Sequence, residues 1–308
     1  MRPTSLNCVY ELAQKDERVI FIGSDLGPGV LEEFKENIPE RFFMEGVAEQ
    51  HIVGMAAGMA LEGFVPYVNT IATFLTRRCF EQNVLDLGLH NTNVRLISNG
   101  GGTVYAPLGP THLAIEDIAI MRSIPNMTIV SPADADEMRR FMMQTLDYQG
   151  PIYIRLGKGY DPIVSSDKFP FEIGKAIYFK KGRDLLIVTT GISLALALEA
   201  AEKLEEKNIS TAVLHMHTIK PFDKETLMEI VDKVSAVITV EEHTVIGGLG
   251  SACAEAILEE GFNETKAFKR IGIPDIFPSG YGNQKDMMNR NGISVSEVIK
   301  TAQSLINI

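Results

Sequence analysis

The chain has 308 residues, a net charge of −11 and a hydrophobic share of 45%. That length exceeds what one ordinary core organises and predicts two domains, while the acidic balance excludes nucleic acid, whose phosphates need a basic surface, as a partner. No apolar run is of membrane-spanning length, residues 1–18 lack the apolar stretch of a signal peptide, and Cys8, Cys79 and Cys253 are too scattered for a metal set or a disulfide framework. The expectation is a cytoplasmic protein that binds no membrane and no metal of its own.

In chain order, Val- and Ile-rich segments at 18–23, 41–45, 65–69, 94–98, 127–131 and 152–156 read as strands. Helices are expected at 27–37, from Glu49 onward, at 74–89, at 115–122 and at 135–148. Strands alternating with helices predict a doubly wound parallel sheet. Residues 157–176 carry two prolines and several glycine and serine breaks, and read as a linker. A second alternation follows: strands at 185–189, 211–215 and 236–241, with helices at 193–207, 224–233, 250–260 and 294–306. No repeat of solenoid period is visible.

Residues 45–61, EGVAEQHIVGMAAGMAL, place one carboxylate, Glu49, at the mouth of an apolar helix. With no polar face, that helix is expected to be buried all round, and Gly54 and Gly58 leave room for another backbone. The helix dipole favours the Glu49 anion while burial favours the neutral acid, so the group is suited to holding or releasing a proton. By itself the pattern also fits a solvent-facing acid in a first helical turn.

The next segments point one way. GVAEQHIVGMAAGMALEG, ATFLTRRCFEQ, GPTHLAIEDIAIMRSIPNMTIVSPAD, HTIKPFD and EEHTVIGGLGSA occur in order along nearly the whole chain. They resemble the transketolase family of thiamine-diphosphate enzymes in residues and spacing. The resemblance implies an α/β fold of two doubly wound domains: a parallel-sheet pyrimidine-binding domain (1–160), a linker (161–176) and a smaller, mixed-sheet transketolase C-terminal domain (177–308). It implies that Glu49 hydrogen-bonds the pyrimidine ring of thiamine diphosphate and drives its amino group to act as a base. Phe74 would stack on that ring, with Ile71 beside it. Asp25 would lie near the thiazole, although an Asp after a strand also serves as a helix cap. His112 would contact the substrate near the reacting carbon, and Lys158 and Arg2 would meet a sugar phosphate. His217 and His243 read as packing or interface residues.

The family's metal and diphosphate motif, GDG followed by Asn, does not occur in the sequence. Magnesium or another divalent cation would therefore be held by a partner, the N-terminal transketolase subunit, in a heterotetramer with two copies of each chain. Substrate contacts also depart from the pattern. Leu108 and Gly100 fall where an Asp and a His are usual, Gly29 where a Ser is, and Lys158 replaces a bidentate Arg. The implied activity is transfer of a two-carbon ketol unit to an aldehyde, on an unusual sugar. The alternatives are the β subunit of a 2-oxo-acid dehydrogenase and a non-catalytic interaction subunit.

Overall fold

The computed structural model describes residues 1–24, 31–157, 159, 161–261 and 266–306. Asp25, Gly29 and Lys158 lie outside the described residues. The strands are β1 (Val19–Gly23), β2 (Phe42–Met44), β3 (Val65–Ile71), β4 (Arg95–Asn99), β5 (Thr128–Val130), β6 (Ile152–Leu156), β7 (Ile177–Lys180), β8 (Leu185–Thr189), β9 (Thr211–His215), β10 (Thr218–Lys220), β11 (Ala236–Thr244) and β12 (Ala267–Ile273). They form two sheets, of order β10-β5-β6-β4-β3-β1-β2 and β12-β11-β8-β9-β7. β1, β4 and β6 are buried at every position, as strands covered by helices on both faces must be.

The six strands of the first half are mutually parallel, and β7 against β9 makes the second sheet mixed. One strand crosses over: β10, from the second half, pairs antiparallel with β5 and extends the first sheet. A buried network also joins the two halves. Arg155 Nε donates to Asp117 at 2.7 Å, its Nη2 donates to the Glu242 carbonyl at 2.8 Å, and the Glu242 carboxylate accepts from Thr103 and Gln284. His243 sits there too, its Nε2 accepting from the Ala119 N–H at 3.2 Å. His217 stacks on Phe171, ring centroids 3.9 Å apart. Residues 161–176 are strapped rather than loose, since Val164 and Ser165 donate N–H bonds to the Asp134 carboxylate.

Several expectations need correction. The helix expected over 74–89 is three pieces, Ala72–Thr76, Phe80–Gln82 and a π-helical Asn83–Leu89. The break is held by the Asn83 amide, which donates to the Leu75 carbonyl at 2.7 Å. The helix Glu49–Leu61 is not buried all round within this chain. Ile52, Val53, Ala56 and Ala57 pack into the core, while Gly58 and Leu61 are exposed. The helix Arg2–Lys15 was not anticipated, although Leu6, Val9, Leu12 and Ala13 give it a buried stripe. Among the described residues, no helix is long and apolar enough to cross a membrane.

Candidate active site

The first sheet's chain order reverses direction between β1 and β3, and open α/β sheets carry their ligands beyond the carboxyl ends of strands at such a point. A cavity of about 210 Å3 opens there, lined by Arg2, Ser24, Val47, Glu49, Thr70, Ile71, Phe74, Asn99 and Tyr105. Ser24 and Thr70, at the ends of β1 and β3, share a hydroxyl hydrogen bond of 2.5 Å across its floor. Asn99, at the end of β4, donates to Asn69 at 3.1 Å, and Asn69 donates to the Ile97 carbonyl at 3.0 Å. The floor is thus fixed by the sheet itself.

Glu49 enters as the first residue of its helix and is only 1% exposed. Its partner is Arg78, whose Nη1 donates to Glu49 Oε2 at 2.5 Å. The same guanidinium lies 4.2 Å above the centre of the Phe74 ring. On the other side, the His112 ring meets Phe74 edge-on at 5.3 Å. His112 is held in place from below. Arg77 donates to the carbonyls of Thr111 and Leu113 and pairs with Glu116 at 2.9 Å, tying the 110–113 loop to the Phe74 helix. The two adjacent arginines therefore have different tasks, one at the carboxylate and one under the loop.

Of the residues expected at the site, Glu49, Phe74, Ile71 and Arg2 line one cavity, and His112 contacts Phe74. Arg2 reaches it from the first turn of the N-terminal helix. Leu108 is 55% exposed and does not line the cavity. Sequence reasoning missed Ser24, Val47, Thr70, Asn99, Tyr105 and Arg78; for Val47 and Arg78 there was a signal, their places in the GVAEQHIVGMAAGMALEG and ATFLTRRCFEQ segments. Three buried polar atoms around the site have no partner among the described residues: Arg2 Nε, Thr73 Oγ1 and Asn99 Oδ1.

The geometry suits a planar aromatic base. Arg78 supplies what such a ring would: a flat, nitrogen-bearing group stacked on Phe74 and donating to a buried carboxylate. At about 210 Å3 the cavity has room for a single ring, and is smaller than the roughly 300–1,000 Å3 of pockets that enclose a whole ligand. Among the described residues, no three His, Cys, Asp or Glu side chains gather as a metal-binding set.

Residues 1–160 match the family model for the transketolase pyrimidine binding domain, and residues 174–298 match that for the transketolase C-terminal domain. The chain is 35% identical over 306 residues to a 6-deoxy-6-sulfo-D-fructose transketolase subunit from Clostridium sp. (strain MSTE9), covering 99% of this chain and 94% of that one. It is 34% identical to an apulose-4-phosphate transketolase subunit from Phocaeicola vulgatus, covering 99% and 97%. Its fold is similar to that of a solved split-gene transketolase, described as an inactive β4 tetramer, with a TM-score of 0.90 and 36% identity over 99% of this chain and 98% of that one.

Proposed function

The chain belongs to the transketolase family, and from that premise we propose that it is one subunit of a two-chain, thiamine-diphosphate-dependent enzyme that moves a two-carbon ketol unit from a ketose to an aldehyde. The observation that carries this reading is the grouping of a buried carboxylate, an aromatic face and an edge-on histidine around one ring-sized cavity. Bound there, thiamine diphosphate would supply the nucleophilic thiazolium carbon.

Each side chain has a task in this reading. Glu49 holds a proton at the pyrimidine ring nitrogen, from a buried position where one carboxyl controls where that proton sits. Phe74 offers the stacking face and Ile71 the adjoining wall. His112, steadied by a 2.9 Å hydrogen bond to Thr111 and by the loop that Arg77 ties down, stands beside the ring for contact with the sugar. Arg2 meets the substrate's charged end, and Asp25 and Lys158 keep the thiazole and substrate roles that the family resemblance implies. The cofactor's diphosphate and its divalent metal fall to a partner chain carrying GDG, in a heterotetramer with two copies of each subunit. The small size of the cavity supports that division. The domain bounds we adopt are 1–160 and 177–308 with 161–176 between them. All three cysteines are free and buried, in keeping with the reducing cytoplasm.

The test is Glu49→Gln, assayed with the partner chain, saturating thiamine diphosphate and magnesium. The amide keeps the shape but cannot exchange a proton, so turnover should fall about 100-fold to 10,000-fold while the assembly persists. Near-normal turnover would contradict the proposal. Reduction of added lipoamide by the wild-type pair would point instead to a 2-oxo-acid dehydrogenase.

A further inference from the structure

Glu242 belongs to β11 in the second domain, yet its carboxylate reaches into the first. Its Oε1 accepts from the Thr103 N–H at 2.7 Å and from the Thr103 hydroxyl at 2.6 Å, and both oxygens accept from the Gln284 amide, at 3.0 and 2.9 Å. Glu242 is 2% exposed and Thr103 is fully buried. These bonds therefore form away from water, where a charged acceptor holds its donors most firmly. So close an approach requires the neighbouring glycine. Gly102 has φ +70°, and a Cβ built on it would lie 2.4 Å from Glu242 Cδ.

Thr103 is the root of the loop that carries His112. The Gly102 and Ala114 backbones exchange hydrogen bonds of 2.8 and 3.0 Å, which close that loop into a ring. Inside it, successive turns step from one residue to the other. The Ala106 N–H donates to the Thr103 carbonyl at 2.9 Å, Gly109 to Ala106 at 3.1 Å, and His112 to Gly109 at 3.0 Å. Ala106 and Leu113 also belong to the apolar cluster of the second domain, with Leu185, Ile187 and Leu194. The loop is thus mounted on the second domain at Thr103, while Arg77 ties its other end to the first.

We infer that Glu242 is a positioning residue for His112: by holding Thr103, the second domain fixes where the histidine stands beside Phe74. The inference rests on the ketol-transfer reading for the task of His112 alone, since the path from Glu242 to the ring is the same whatever that ring touches. A misplacement of about 1 Å can cost on the order of 100-fold in rate, so a carboxylate that never meets the substrate can still govern turnover. This gives the second domain, which contributes none of the described residues lining the cavity, a part in the reaction.

The experiment is a double-mutant cycle on the two-chain enzyme, with hydroxypyruvate as ketol donor and D-glyceraldehyde 3-phosphate as acceptor. Thr103→Val keeps the shape and removes the hydroxyl that Glu242 holds. It should lower kcat/KM about tenfold, as for a displacement smaller than 1 Å, and leave the apparent thiamine diphosphate constant unchanged. Thr103→Ser, which keeps the hydroxyl, should restore the wild-type value. In a His112→Ala background, Thr103→Val should cost nothing further, because changes that act through one group are not additive. The same loss in both backgrounds, or none in either, would overturn the inference. If Thr103→Val does not fold, Gln284→Ala, at a partly exposed position, runs the same cycle and should lose activity only where His112 is present. A second arm needs no turnover. With the six histidines of the chain isotope-labelled on the ring, the His112 signal, identified by its absence from His112→Ala, should shift in Thr103→Val while that of exposed His51 stays. An unmoved His112 signal would overturn the inference, whereas a moved signal in a pair that transfers no ketol unit would overturn the ketol-transfer reading alone.

Discussion

Arg78 and Glu49 are joined at 2.5 Å, and the guanidinium that makes this bond covers the Phe74 ring at 4.2 Å. An aromatic ring stacked on Phe74 and hydrogen-bonded to Glu49 would need the same space, so the arginine and a cofactor bound as proposed would compete for one place. Glu49 is buried while Arg78 is 42% exposed, which leaves the arginine a path outward and the carboxylate none.

Replacing Arg78 by Met should therefore have two opposite effects. The chain alone should melt earlier, because a buried carboxylate loses its partner; with the arginine half in solvent, the loss should be about 1–2 kcal/mol rather than the 3–5 of a fully buried pair. In the assembled enzyme, the apparent dissociation constant for thiamine diphosphate should fall several-fold. A cofactor constant that is unchanged or raised would show that Arg78 does not compete.

The outer face of the helix Glu49–Leu61 makes a separate prediction. A Cβ on Gly58 would meet nothing within 4 Å, and Leu61 is 62% exposed. Apolar surface of this kind fits association with a second copy of the chain. Gly58→Glu should leave the melting temperature of the chain close to normal, because it clashes with nothing and removes a helical glycine. Light scattering should nevertheless show a smaller assembly than the wild type forms. An unchanged mass would place the interface elsewhere.

His217 predicts a pH dependence. It is fully buried against Phe171, and burial holds its pKa down to about 3 from an ordinary 6.5, with Glu137 opposing. Because the folded value is the lower one, the unfolded chain binds the extra proton between pH 6.5 and 3. The contribution of this histidine to stability is thus complete above pH 6.5 and is lost as the pH falls, by up to about 1.4 kcal/mol per pH unit. His217→Phe keeps the stacking and should flatten the fall in urea midpoint between pH 6.5 and 4. Equal slopes for the two proteins would contradict this.

Glu49, Phe74 and His112 could be read in the sequence because a motif fixes their types and spacing, and the sheet then brings them together. Arg78 could not be told from Arg77 in that way: the pair is adjacent, and only the break after Thr76 sends one to the carboxylate and the other to the 110–113 loop. Tyr105 was hidden because its place depends on the positive φ of Gly100 five residues earlier. β10 is three residues long, and its partner β5 lies in the other half of the chain, so no local pattern could announce it. The Glu49 helix shows the limit of composition, since an apolar stripe looks alike whether its own core or a second chain covers it.

The most direct test of the account is a calorimetric titration of thiamine diphosphate, with magnesium present, into the chain alone and into the chain mixed with a partner carrying the GDG and Asn motif. A cavity with room for one ring predicts weak or no binding to the chain alone. It predicts tight binding, one cofactor per copy of this chain, and ketol transfer once the partner is added. Tight binding and turnover by this chain without a partner would contradict the account.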